Sequence, residues 1–447
     1  MGLTLIQNPT NEVQPAHNQL VFVATSNNSS ELNFRYLFDI YIDTVKVARL
    51  KVVPNENTKG ICDISRIVQD YIEQDLKGFD AGAVSGSSAK SGVSANTTPH
   101  SIHHIDKFSR NDTTMKKIEV RGGEEYQTSI TDTPKIYDGT ATAGGDNLGE
   151  PAFAMGTIMC WNAATQFLDG IDYDIDQFEL DGTTKRFLTQ APDTQSIKKG
   201  QYHTISVFNG TQQDGSVSMM GSTRFDFYGA SGYISGFNVI NNATNGGETF
   251  GTVTTASQNK NLLVCGVGTQ NLVNSGQTIP AAATYYSVRV YASGAYRSKT
   301  YTFNIDCDQK FESKRLAWLN SLGGWDYYNF RMKTEETIDI GRKAFMKTFG
   351  SWNGDDYSVN QWEFGRKDLQ VTAVKKYLCN SDWISNEERI MLQELFVSPV
   401  VYLLDDENVI PVNVNANEFV KYDQKHDKVF NYEIEVIEAH NQRIQNG

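Results

Sequence analysis

The sequence predicts a mainly β chain made of several β-sandwich modules, fibronectin/Ig-like and jelly-roll-like, with a few short helices. Three observations carry this. Short apolar runs alternate with polar residues at a period of two, which marks strands with one packed face. Gly, Asn and Asp punctuate those runs at short intervals, as turns do in sandwiches. The 447 residues include 23 Phe, 21 Tyr and 6 Trp, with 21% charged, so the chain has ample aromatic surface for cores and is not a disordered polyelectrolyte.

Three domains are expected. Residues 1–149 form a β-sandwich with one helix and a Gly/Ser-rich inserted loop over about 79–107. Leu20–Thr25 and Phe34–Arg49 read as strands; Phe34, Tyr36, Phe38, Ile40 and Ile42 alternate with Arg35, Leu37, Asp39 and Tyr41. Asn27-Asn28-Ser29-Ser30 supplies turn chemistry between them, and Pro54-Asn55-Glu56-Asn57 closes a strand over Val45–Val53. Asp63 suits an N-cap for a helix on which Ile64, Ile67, Val68, Tyr71, Ile72 and Leu76 recur at helical spacing, stopped by Gly78. Residues 81–95 are almost all Gly, Ser and Ala, an excursion rather than an element. Lys117–Val120 and Glu125–Ser129 return as strands, and Gly139–Gly149 leads out.

Residues 150–308 form a second β-sandwich. Its strands are Met155–Trp161, Tyr202–Phe208, Arg224–Tyr228, Tyr233–Ile240, Asn261–Val267, Tyr286–Tyr291 and Thr300–Ile305, with no helical period. Residues 309–447 form an α+β domain with hairpins and one helix over 385–398. Gly323-Gly324 suits a hairpin turn between Lys314–Ser321 and Trp325–Met332; a short helix over Lys314–Leu322 is the competing reading. Ser385 and Glu388 make a capping box, Ile390, Met391, Leu392, Leu395 and Phe396 form the buried side, and Pro399 ends the helix. Val400–Leu404 and Val409–Val414 flank Asp405-Asp406-Glu407-Asn408 as a hairpin, and Tyr432–Val436 is a last strand.

The net charge of −13 argues against nucleic acid as main partner, and no run approaches the ~18 apolar residues of a membrane span. Met1–Pro9 lacks the basic and apolar regions of a secretory signal, so it is not read as a signal peptide and synthesis in a cytoplasm is expected. Cys62, Cys160, Cys265, Cys307 and Cys379 stand at long spacings without a C-x-x-C and read as small core hydrophobes.

Catalytic, cofactor and metal motifs are weighed and set aside. Asp172, Asp174 and Asp176 open like a calcium loop, but Gln177 replaces the turn Gly and Thr183 the bidentate acid. They read as the solvated face of a strand whose Ile171, Tyr173 and Ile175 point inward. His100, His103 and His104, with Asp106, read as a polar loop packed on a neighbour, not as metal ligands. No G-x-S-x-G or phosphate-binding loop occurs. Lys116-Lys117 and Lys375-Lys376 read as solvated pairs. Trp318, Trp325, Tyr327, Tyr328 and Phe330, followed by Trp352, Trp362 and Trp383, read as core or subunit interface. No catalytic, cofactor-binding or metal residue is therefore assigned, and no enzyme activity is expected.

Four stretches resemble the structural proteins of tailed bacteriophages, particularly crAss-like and marine flavobacterial phages. They are Phe34–Tyr71, Val120–Tyr126 (VRGGEEY), Arg315–Phe330 (RLAWLNSLGGWDYYNF) and Leu392–Val414 (LQELFVSPVVYLLDDENVIPVNV) running on to NYEIEVIEAHNQRI. The resemblance implies a virion component of the tail, hub or collar. Its partners would be copies of itself and other tail or collar proteins, without membrane insertion. It carries over no active-site residue. A host-attachment protein binding surface glycan through residues 150–308 is the alternative. A carbohydrate-active enzyme, which needs two carboxylates at catalytic separation, is the third. Residues 81–105 are expected to pack on another chain, because a Gly/Ser segment alone cannot offset its ordering entropy.

Overall fold

The computed structural model describes residues 2–9, 13–74, 76–78, 100–105, 107–110, 113–142, 145–165, 174–208, 220–240, 262–292, 294–306, 311–363, 365–405, 408–415 and 431–440. Strands occupy 53% of it and helices 9%, which makes the chain mainly β, with several antiparallel or mixed sheets and few short helices. It divides into two compact units, Met1–Asp306 with Asn320–Asp326, and Cys307–Leu319 with Tyr327–Gly447.

The first unit is organised around the strand Met115–Gln127, which pairs antiparallel with both Leu32–Ile42 and Phe153–Trp161. The expected break at Gly122-Gly123 is not there. The two glycines sit inside the strand because a Cβ on Gly122 would lie 2.3 Å from Leu3 and one on Gly123 2.7 Å from Pro151. Phe153–Trp161 belongs to this sheet, so it continues beyond residue 150. Leu32–Ile42 turns at Asp43-Thr44, both at positive φ, into Val45–Val52. That turn separates two strands within the run Phe34–Arg49. Gly139–Gly149, expected as a soft exit, overlaps the paired strands Lys135–Thr142 and Gly145–Leu148.

A three-stranded sheet of Leu3–Gln7, Val21–Ser26 and Lys59–Asp63 shares a core with the larger one. Phe34, Tyr36, Phe38, Ile40 and Ile42 all enter it, as their spacing requires. The other face of that strand is also covered: Asp39 is fully buried. Arg49 donates two hydrogen bonds to it, at 2.6 and 2.7 Å, and Lys46 lies at 2.7 Å. Glu150 reaches the same Arg49 and Lys46. Burial pushes the Asp39 carboxyl up, but hydrogen bonds from Arg49 and Lys46 outweigh it and hold the pKa below the ordinary range.

The helix expected from Asp63 to Leu76 is a single turn, Ser65–Gln69. Ile64, Val68 and Ile72 are buried as expected, but Tyr71 and Leu76 are exposed. The chain leaves the helix because its backbone finds other partners: Glu73 N donates to Thr113 O, and Leu76 O accepts from Ile102 N. Asp63 still works at the entry, accepting from Ser65 N at 3.0 Å and Leu20 N at 3.1 Å.

A second core lies between the sheet of Thr194–Lys198, Tyr301–Asp306, Tyr285–Ala292, Ser222–Gly229 and Gly232–Ile240 and a three-stranded sheet. The latter joins Thr204–Phe208 and Leu262–Gly266 to Phe108–Arg110. All seven strands expected over residues 150–308 form within two residues of their expected ends, the first of them in the sheet of Met115–Gln127. A six-residue helix, Thr269–Asn274, was not expected. Trp161, fully buried, donates from Nε1 to Leu322 O at 2.9 Å and meets Phe208 edge-on.

The second unit holds a seven-stranded sheet in the order Trp325–Phe330, Lys314–Leu319, Val401–Asp405, Asn408–Val414, Glu433–Glu438, Arg366–Asn380 and Glu335–Met346. Lys314–Leu319 is a strand, so the hairpin reading holds over the helical one. The helix Asn386–Val397 starts with both bonds of the Ser385–Glu388 capping box. Met391, Leu392 and Leu395 are buried; Ile390, expected on the buried side, is exposed, and Arg389 is buried in its place. Val401–Asp405 and Asn408–Val414 pair as the expected hairpin, with 406 and 407 outside the described residues.

Candidate assembly interface

The feature of the second unit that its own packing does not account for is a long two-stranded arm. Arg366–Asn380 pairs with Glu433–Glu438 only over its last five residues, Lys376–Asn380. It pairs with Glu335–Met346 along nearly its whole length. The outer part, Asp339–Met346 with Arg366–Val374, therefore has no third strand among the described residues. At about 3.3 Å per residue it extends roughly 25 Å. Every residue of Glu335–Met346 is exposed.

The register sorts the arm into two faces. On one, Ile338 and Ile340 stand opposite Lys375 and Ala373, with Arg342 opposite Val371. On the other, Thr337, Asp339, Gly341 and Lys343 face Lys376, Val374, Thr372 and Gln370. Ion pairs cross the arm from Lys375 to Glu336 at 3.2 Å, Lys376 to Asp339 at 2.9 Å and Arg342 to Asp368 at 2.6 Å. Lys375 and Lys376 are thus partners in the arm rather than simply solvated, and Lys116 likewise pairs with Asp43 at 3.0 Å. The Lys376 ammonium holds the Asp339 carboxyl below its ordinary range. Such exposed pairs select register but contribute little stability.

The arm ends in a small folded tip. Ser351–Trp352 pairs with Tyr357–Ser358, and the Asn353 side chain accepts from the backbone N of Asp355 and Asp356 at 2.9 and 2.8 Å. Large apolar side chains crowd this end: Met346 is 84% exposed, Trp362 78%, Leu369 70% and Trp352 65%. A two-stranded ribbon alone is marginal in water, and contiguous apolar groups of this size are seldom left exposed. Trp, Met and Arg are enriched at contact surfaces.

The aromatic residues singled out in the sequence divide accordingly. Trp318, Trp325, Tyr327 and Phe330 are buried, and Tyr328 donates from its hydroxyl to Ser381 O at 2.8 Å. Trp352, Trp362 and Trp383 are exposed. The histidine cluster does not form a neighbour-facing loop: His103 and His104 are buried in a short turn, His103 edge-on to Trp325 and His104 against Tyr202. The sequence offers no cue to this, because the aromatic partners lie far along the chain. Asp106, the His100 side chain and residues 79–99 lie outside the described residues.

Asp174 caps a 3-10 turn, Ile175–Gln177, that contains Asp176, so this stretch is not a strand: Asp174 accepts from Asp176 N at 3.0 Å. Asp172 lies outside the described residues. Among the described residues no three His, Cys, Asp or Glu side chains gather as metal ligands. Cys62, Cys160, Cys265 and Cys379 are buried. Burial pushes the Cys62 thiol up to about 12 and the Cys379 thiol to about 11, which keeps them protonated and unreactive. Cys307 lies outside the described residues. Among the described residues no helix is long and apolar enough to cross a membrane.

A second surface lies on the outer face of the sheet containing Ser222–Gly229. Asp226 is bound by Arg224 at 2.7 Å and Arg289 at 2.8 Å, and Arg289 lies 3.7 Å over the Tyr296 ring. Beside them Tyr228 stacks on Tyr285 at 4.8 Å, with the exposed Tyr233 edge-on. A scan of protein families and a search of curated proteins find no match to this chain.

Proposed function

We propose that the chain is a structural component of a tailed-phage virion, part of the tail, hub or collar, and that it works by multimeric assembly. In this reading it is not an enzyme and carries no cofactor. The single observation that carries the assembly role is the arm, twelve exposed residues of strand ending in apolar side chains that its own unit leaves in water. The resemblance of four stretches to phage structural proteins supplies the virion context. The two-sheet cores support sandwich modules of the fibronectin/Ig-like and jelly-roll-like kind.

A second reading, host attachment through glycan, rests on the Tyr228, Tyr233, Tyr285 and Tyr296 surface with its Arg224–Asp226–Arg289 lattice. Rings and fixed polar groups together suit sugar. The deciding experiment is peptide mass spectrometry and cryo-EM of gradient-purified particles. The chain should be found at a fixed copy number in the tail, hub or collar, with the arm seated on a neighbour. A chain missing from purified particles would refute the proposal; an arm in solvent with the tyrosine face binding host glycan would favour attachment.

A further inference from the structure

The outer edge of Glu335–Met346 is the end of the seven-stranded sheet, so one row of its backbone N–H and C=O groups has no strand partner among the described residues. Sheet edges are normally blunted by Pro, bulges, short strands or cover, since a long flat edge templates another strand. This edge is twelve residues long, contains no Pro, and its one register irregularity against Arg366–Asn380 falls near the tip, between Lys343 and Ala344.

Its charge is also segregated. Glu335, Glu336 and Asp339 occupy the first half; Arg342, Lys343 and, just beyond, Lys347 occupy the second. Such a strand is complementary to itself when run antiparallel. Two copies of one edge related by a two-fold axis through the sheet keep the same faces up, so residues of like parity must stand opposite. Centred on Gly341, Asp339 faces Lys343 and Glu335 faces Lys347, each twice, and no like charges face each other. Centring on Asp339 sets that carboxylate against its own copy, and centring on Arg342 sets two guanidiniums together. Centring on Ile340 pairs no opposite charges.

We infer that the arm pairs edge to edge with the arm of a second copy of this chain, antiparallel about Gly341, to make one continuous sheet. The contact is isologous and closes on itself. It also joins the Ile338, Ile340, Ala344 and Met346 faces of both copies into one apolar strip, which gives the paired arms something to bury. The inference rests on the assembly reading, because it names the partner of the surface on which that reading stands.

Sedimentation of the full chain and its charge-reversal variants tests it. The unaltered chain should dimerise. Lys343→Asp and Asp339→Lys should each raise the dimer dissociation constant by about tenfold or more, since each places like charges opposite twice. An equal mixture of the two variants should dimerise again, because every facing pair is then Asp with Lys. Asp339 also bonds Lys376 within the arm, and Glu335 lies 3.4 Å from the exposed Lys333; Glu335→Lys mixed with Lys347→Glu therefore provides a second set with a different internal partner, and melting curves confirm that each variant is folded. A chain that stays monomeric, variants that dimerise like the parent, or dimers that mixing fails to restore would each overturn this pairing. Presence of the chain in purified particles is scored separately, so self-pairing can fail while the virion role stands.

Discussion

Two strand pairs in this molecule have nearly the same backbone and opposite surroundings. Leu32–Ile42 against Met115–Gln127 and Glu335–Met346 against Arg366–Asn380 are both long antiparallel ladders. The first is the middle of a sheet: Phe34, Tyr36, Phe38, Ile118 and Val120 enter one core, and Asp39 is sealed on the other side by Arg49 and Lys46. The second has water on both faces over most of its length. Ladder hydrogen bonds are common to both and add only about 1 kcal/mol net each, so the difference in stability lies in apolar burial. On the assembly proposal, the burial that the arm lacks is supplied by another chain.

The largest expected effect lies in the buried pair's own sheet. Trp161→Ala removes a fully buried ring and the bond to Leu322 O, and should cost about 3–5 kcal/mol in urea unfolding. A cost below about 1 kcal/mol would remove the contrast between the regions. Leu395→Ala, also fully buried, should cost about 2–5 kcal/mol and tests whether the second unit has a core of its own away from the arm.

Asp39→Asn should cost about 2 kcal/mol, less than a fully enclosed ion pair, because Arg49 and Lys46 keep part of their hydration. Its pH dependence has a definite sign. The folded Asp39 pKa is depressed, so its contribution is complete above the unfolded value of about 3.9 and is lost as pH falls through the folded one. Acid titration of stability should therefore be flatter below about pH 4 in Asp39→Asn than in the parent. In the arm, Met346→Ser should change the stability of the isolated chain by less than about 0.5 kcal/mol while weakening assembly. A destabilisation as large as that of Leu395→Ala would mean that the arm's apolar residues are buried within their own chain.

The features legible in the sequence are those with a strong contrast between inside and outside. Phe34 to Ile42 alternate because one face meets a core, and Ser385 with Glu388 announce the helix through local hydrogen bonds alone. Helical spacing carries the helix beyond Gln69, whereas the chain leaves it because Glu73 and Leu76 bond to residues some 25–40 positions away. The buried face of that second helix, Asn386–Val397, lies one position from Ile390, because the buried Arg389 imitates a polar surface residue in the sequence. The arm is not legible in the sequence, because both faces are wet and charged residues interrupt its alternation. The signal in Ile338 and Ile340, and in Val371, Ala373 and Tyr377, is a period of two broken by Arg342 and Lys375, which stand on the same face.

Hydrogen exchange measured on dilute monomer and on the assembled particle tests the central claim most directly. Amides of 115–127 should be strongly protected in both states. Amides of 339–346 should exchange many times faster in the monomer and become protected on assembly. An arm as protected in the monomer as the central strand, or one still exchanging freely in the particle, would contradict the account.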